Sequence, residues 1–245
     1  MNTVKLLIIS MLVSIGCFAQ TGNGWKLIFE DNFEGTSFNT GNWSYCTRYG
    51  SDWNKYLVSS NQTVQVANGE LIVKAIKNTN TAIDNVPYLT GGIQSSKKFS
   101  FTYGKVEVRA KMVSGKGAWP AIWLMPDIQA AWPTGGEIDM MERLNNDTYV
   151  YHTVHSHYTY NLGINNPVRS KTAAIVPNDY NIYGLQWYPD RMDFYLNGVF
   201  TFSYPRILTA QTGQWPFDHP FYIILNQAAG GSWVGSVTDD DLPFQ

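Results

Sequence analysis

Charge is scarce in this sequence. Only 15% of its 245 residues are Asp, Glu, Lys or Arg, and 17 basic against 19 acidic side chains leave a formal net charge of -2. That balance gives no strong pull toward nucleic acid or an anionic membrane. Cysteine is scarcer still: Cys17 lies in the N-terminal leader described below and Cys46 is left alone, which excludes a disulfide framework. Cys46 reads as a buried apolar residue, because no partner His or helix N-terminus adjoins it to make a nucleophile. Also missing, beyond the leader, is any apolar 3.6-residue period sustained over three turns. Neither an internal repeat nor a linker is visible. With 44% hydrophobic residues, the chain has enough apolar material for one substantial core.

Residues 1 to 20, "MNTVKLLIISMLVSIGCFAQ", place Lys5 before the apolar run Leu6 to Val13 and then small residues, the layout of a secretory signal peptide. The run falls short of the ~20 residues of a membrane span. Cleavage after Ala19 is expected, leaving 20–245 as one domain, secreted or periplasmic. A surface lipoprotein through Cys17 is the lesser alternative, since Ser14 stands where such signals usually carry leucine.

Strand signals recur every eight to twelve residues. "TVQVANGELIVKAIK" alternates through Val64 and Val66, turns at Asn68-Gly69, and alternates back through Leu71 and Val73, which is a hairpin. "YGKVEVRAKM" alternates through Val106, Val108 and Ala110, and "IYGLQWYPDRMDFYLNGVFTFSYP" gives three strands split at Pro189-Asp190 and Asn197-Gly198. Many short antiparallel strands without helical partners predict an all-β jelly-roll sandwich of two sheets. Gly115 to Gly117 and Asn161 to Asn178 read as surface loops over one mouth.

Within this strand-like setting, "GGEIDMMERLNND" sets Glu137, Asp139 and Glu142 among Ile138, Met140 and Met141. In a regular strand Glu137 and Asp139 share a face and Glu142 points the other way, as a solvent-facing charge. Apolar residues on both faces suit a covered strand better than an exposed edge. A β-bulge at Met140-Met141 reconciles the two, because one extra residue returns Glu142 to the face of Glu137 and Asp139. The two glutamate backbones would then lie roughly 13 Å apart at ~3.3 Å per residue. Side chains leaning together from there can reach the ~5 to 5.5 Å carboxyl separation of a retaining glycosidase. Asp139 between them would help keep one glutamate protonated and the other anionic.

The same stretch resembles the active-site strand EIDxxE of glycoside hydrolase family 16, laminarinase-like branch. The likeness extends to "FTYGKVEVRAKMVSGKGAWPAIWLMP", "AWPTGGEIDMME", "VYHTVH" and "WPFDHPFYIILNQAAGGSWVG", in order over roughly residues 25 to 244. The resemblance implies the same jelly-roll sandwich, with Glu137 as nucleophile, Glu142 as general acid/base and Asp139 tuning them. It implies an endo-acting, retaining enzyme on a β-linked polysaccharide in an open cleft, working as a monomer and needing no cofactor. By the same resemblance Trp119, Trp123 and Trp132 line sugar subsites, His155 lies near the acid pair and Asn226 faces the sugar. Trp215 and Trp233, at loop ends, are further subsite candidates; for all five tryptophans the competing reading is core packing. A zinc site in "HTVHSH" is disfavoured: His155 and His157 share a face only if the segment is a strand, His152 faces away, and no Cys is near.

Two departures from the family pattern bear on function. The chain stops at Gln245, where relatives continue into a final strand ending "VDYVRVY"; a structural calcium that often uses an Asp there becomes doubtful. "SDWNKYLVSS" stands where laminarinases carry an "NELQ"-like stretch, so β-1,3- or mixed-linkage glucan competes with galactans and mucin-type O-glycans cut by an endo-β-galactosidase relative. A carbohydrate-binding lectin is the non-enzyme alternative, since fold does not fix function, and a structural surface protein is a third.

Overall fold

The computed structural model describes residues 24–244 except 114 and 211. The expected leader and its cleavage site lie outside the described residues. The chain divides into two compact units, Met1–Glu30 and Asp31–Gln245, and among the described residues the strands lie in the second.

Fourteen strands follow one another in this unit: β1 (Ser44–Tyr45), β2 (Val64–Ala67), β3 (Glu70–Val73), β4 (Ala75–Lys77), β5 (Tyr88–Gln94), β6 (Gly104–Lys111), β7 (Ala118–Pro126), β8 (Glu137–Glu142), β9 (Tyr149–His155), β10 (Ser170–Ala174), β11 (Tyr180–Trp187), β12 (Arg191–Leu196), β13 (Val199–Pro205) and β14 (Phe221–Ala229). One sheet runs β1-β5-β14-β7-β8-β9-β10 with β4 added on β5, a second runs β13-β12-β11-β6, and β2-β3 is a separate hairpin. Every named strand pair is antiparallel. This is the expected jelly-roll sandwich.

Local chemistry explains the elements. The hairpin turns at Asn68 (φ 57°) and Gly69 (φ 74°), and β12 turns into β13 at Asn197 (φ 52°) and Gly198 (φ 77°); paired left-handed residues of this kind match strand twist. In β6 the half-buried Val106, Val108 and Ala110 alternate with exposed Lys105, Glu107 and Arg109, so one face meets the core and the other water. Trp187, Tyr183 and Phe194 of the second sheet are fully buried, as are Ile138, Val150 and Val154 of the first. Truncating Phe194 to Ala in such a core costs about 3–5 kcal/mol. Cys46 is buried and free, and burial pushes its thiol well above its ordinary value, as its apolar reading expects.

Two expectations are corrected. Ser170–Ala174, read as loop, is the edge strand β10; only Ala173 is buried there, so its sequence lacks the alternation that marks a half-covered strand. The strand through "HTVH" ends at His155, and His157 opens a single helical turn, Tyr158 and Thr159 being buried beneath it. His155 and His157 therefore do not share a strand face.

Candidate active site

The larger sheet presents one face to a cleft of about 660 Å³. On β7, Trp119, Ala121, Trp123 and Met125 enter it at every second residue; on β14, Tyr222, Ile224 and Asn226 do the same. Three acids of β8 complete the row: Glu137 and Asp139 two apart, then Glu142 three further on.

That change of step is the bulge expected from sequence. Asp139 pairs with Thr153 and Glu142 with Tyr151 on β9, so Met140 and Met141 together face His152 alone. On the other side Ile122 pairs with Met141 and Trp123 with Asp139, leaving Met140 without a partner. Both methionines are fully buried beneath the row. Glu137 opposes His155 and Glu142 opposes Tyr151, four residues along β9, in keeping with the roughly 13 Å backbone spacing.

Indole donors organise the acids. Trp119 Nε1 donates to Glu142 Oε1 at 2.9 Å, and Trp132 Nε1, from the β7–β8 connection, donates to Glu137 Oε2 at 2.7 Å. Trp123 Nε1 donates to Asn226 Oδ1 at 2.7 Å and its ring meets Trp53 edge-on, centroids 4.8 Å apart, so Trp123 is cleft floor and core at once. His155 Nε2 stands 3.4 Å from Asp139 Oδ2 and 3.7 Å from Glu137 Oε1.

Burial dominates the electrostatics. Removal from water, then the charge of Asp139, pushes the Glu137 carboxyl up to about 8, while His155 and the Trp132 hydrogen bond pull it back. Asp139, only 2% exposed, is raised by burial and drawn down by its hydrogen bond with Glu137. Glu142 is raised well above its ordinary value, first by burial and then by the charges of both other acids, against the Trp119 hydrogen bond. Three carboxyls this close in a poorly solvated row do not all ionise together, and burial with the charges of its two neighbours favours the protonated form of Glu142. Glu137, Asp139 and His155 also offer ligand atoms within 4.8 Å of one another, a donor set that could meet a divalent cation.

The residues named from sequence converge, with one exception. Trp119, Trp123, Trp132 and Asn226 line the cleft, and His155 stands over the acids. Trp233 adjoins it, edge-on to Trp119 at 5.6 Å and 5.3 Å from Tyr151. Trp215 is elsewhere: it donates to Asp218 and packs on Tyr204 and Phe217, outside the cleft lining. Its loop position suggested a subsite, but its ring packs on Tyr204 of β13 and on Phe217 of the β13–β14 connection.

The segment "SDWNKYLVSS", singled out by its place in the family pattern without naming individual residues, supplies Asp52 and Trp53 to the cleft, with Tyr49 just before it. Asp52 Oδ2 accepts from the Ser232 backbone N–H at 2.6 Å, tying that loop to the one carrying Trp233. Sequence reading missed Tyr149 and Tyr151, whose rings lie 5.5 Å apart on the cleft-side face of β9. Their signal was available, since they precede His155 at even spacing.

Known proteins resemble this chain over most of its length. The profile of "Glycosyl hydrolases family 16" matches residues 49–241. A keratan-sulfate endo-1,4-beta-galactosidase of Sphingobacterium multivorum is 44% identical over 90% of the chain, which spans 53%, about half, of that protein's length. A beta-glucanase of Rhodothermus marinus is 33% identical over 90% of this chain and 81% of its own. The X-ray structure of the laminarinase from Rhodothermus marinus superposes with a TM-score of 0.79 at 30% identity, covering 90% of this chain and 93% of that one. The family profile covers well over half the sequence, and the acid-bearing strand lies inside it: the chain belongs to glycosyl hydrolases family 16.

Proposed function

We propose that this chain is an exported, retaining endo-β-glycosidase. The observation that carries the reading is the bulged β8, which sets Glu137 and Glu142 on one face of an open cleft, with burial and the neighbouring acids favouring the protonated form of Glu142. In the first step Glu142 gives its proton to the departing glycosidic oxygen while a carboxylate oxygen of Glu137 attacks the anomeric carbon. Water, deprotonated by the now anionic Glu142, then breaks the glycosyl–Glu137 ester and leaves the sugar with its β configuration. Asp139 holds Glu142 protonated by its charge. The chemistry is carried by carboxyls alone, and export rests on the leader's sequence pattern.

For the substrate, the 44% identity to a keratan-sulfate endo-1,4-beta-galactosidase, over 90% of the chain, supports internal β-galactosidic bonds of a keratan-like or related O-glycan chain. A second reading, β-1,3- or mixed-linkage glucan, is supported by the likeness to the Rhodothermus marinus laminarinase. Incubating the chain with keratan sulfate, mucin O-glycans, agarose, carrageenan, laminarin and barley glucan, and sizing the products, separates the two. Glu137→Gln should abolish reducing-end release while polysaccharide binding survives. Unchanged turnover in that variant would overturn the nucleophile assignment, and binding without turnover in the unmutated chain would point to a lectin.

A further inference from the structure

The bulge that makes the acid pair also creates a problem for the backbone. Met140 has no partner on β7 and shares His152 of β9 with Met141, and it lies fully buried. Its carbonyl sits where the regular ladder is interrupted, and a buried strand oxygen there calls for a hydrogen-bond donor.

His152 answers that oxygen. It sits on β9 between Tyr151 and Thr153, across from the bulged pair, and is fully buried on the core side of the sheet. Its Nδ1 is 2.7 Å from the Met140 carbonyl oxygen. An oxygen of that kind only accepts, so Nδ1 carries the hydrogen. Burial pushes the imidazole down to about 4, so across the neutral range the ring is uncharged with its one proton directed at Met140. Nε2 has no hydrogen-bond partner among the described residues. The ring packs against Phe194 of the facing sheet, centroids 5.3 Å apart and planes 36° apart. A buried polar side chain with one nitrogen unserved is poorly explained as filler. It is well explained as a donor delivered to one backbone oxygen.

We propose that His152 is a positioning residue: by donating to the Met140 carbonyl it holds the strand where its ladder is interrupted, and so fixes the bulge that turns Glu142 back to the face of Glu137. The inference rests on the glycosidase reading for its kinetic consequence, and on the bulge alone for its structural one. Without the donor, the buried carbonyl loses this hydrogen bond and β8 shifts its pairing to recover one, and any such shift changes the separation and tilt of the two carboxyls. A misplacement of about 1 Å can lower a rate on the order of 100-fold.

The experiment compares His152→Leu, which keeps an apolar side chain without a donor, with His152→Asn, whose side-chain amide can place an N–H near the position of Nδ1. Turnover of a soluble oligosaccharide and hydrogen exchange across the peptide bearing β8 are read on both. In His152→Leu, kcat should fall on the order of 100-fold with KM within about twofold, and exchange should rise in β8 but not in β11 or β12. His152→Asn should recover at least about a tenth of the lost rate and the β8 protection. The pH–rate profile of His152→Leu should also change, because Glu142 owes part of its raised pKa to the proximity of the other acids. Loss of thermal stability with unchanged kcat and unchanged β8 exchange would overturn the proposal. If His152→Leu does not fold, His152→Asn decides: retained rate and β8 protection support the donor role, and collapse of both in a folded protein overturns it. An unmutated chain inactive on every polysaccharide would strike the glycosidase reading instead, while the exchange comparison still decides the contact.

Discussion

Trp132 donates its indole N–H to Oε2 of Glu137 at 2.7 Å from outside the strand that carries Glu137. This bond favours the ionised carboxylate, against burial and the charge of Asp139, which raise its pKa. Trp132→Phe keeps an aromatic ring and removes the donor, so the Glu137 pKa should rise. Attack on carbon needs the ionised form, and the acid limb of kcat/KM should therefore move to higher pH. At any fixed pH on the acid side of that limb, the rate should fall roughly tenfold if the limb moves by about one pH unit. Matched pH–rate profiles check this, and an acid limb that does not move rejects it.

Asp139 works on its neighbours through charge, raising both Glu137 and Glu142. Asp139→Asn should lower the pKa at which Glu142 gives up its proton, moving the basic limb of activity to lower pH. Its effect on stability has the opposite sense. Burial raises the folded pKa of Asp139 above the ~3.9 of an unfolded chain, so its contribution is full below that value and lost as pH rises through the folded pKa. The Asn variant, free of that buried charge, should melt roughly 2 to 4 °C higher than the original at pH 8, if about 1 kcal/mol is recovered. The difference should vanish near pH 3, and equal melting temperatures at both pH values would refute the buried-charge account.

Much of this was legible in the sequence where chemistry repeats locally. Alternation in β6 and the Asn-Gly turns before β3 and β13 declare themselves within a few residues, and so does the bulge, because a two-residue period cannot otherwise put Glu142 with Glu137. What stayed hidden depends on distant partners. The edge strand β10 shows no alternation because its outer edge and most of its side chains meet water. Trp215 and Trp233 look alike as loop tryptophans, yet one packs on Tyr204 and the other on Trp119, a choice made by the tertiary fold. Asp52 was not singled out within its segment for the same reason, its partner Ser232 being 180 residues away.

Glu142, if it is the acid and later the base, is needed most when the leaving group is poor. Glu142→Ala should lower polysaccharide turnover by roughly 100- to 10,000-fold, while a dinitrophenyl β-glycoside, whose leaving group needs no proton, still forms the glycosyl–Glu137 ester. Added azide should then take the place of the activated water and release a β-glycosyl azide. Product anomer assigned by NMR is the measurement. An α-glycosyl azide would contradict the two-step retaining mechanism.

The loop hold at Asp52 separates binding from chemistry. Its Oδ2 accepts from Ser232 N–H at 2.6 Å and its Oδ1 from Lys55 Nζ at 2.9 Å. The Ser232 backbone bond first, then Lys55, holds the carboxyl down at about 2. A group whose pKa is depressed contributes stability that is lost only as pH falls through that folded value, so the loop stays tied throughout the working range. The residue it secures lies next to Trp233, which is 45% exposed and faces both Trp119 and Tyr151, an arrangement suited to stacking against a sugar ring. Asp52→Ala should free that loop and raise KM for a long polysaccharide on the order of tenfold, with kcat within about twofold. Neither pH limb should move, because Asp52 is not among the charges that perturb the three acids. Steady-state kinetics on polymer and on a short aryl glycoside distinguish the cases: an equal loss on both substrates would place Asp52 in the chemistry rather than in holding the chain.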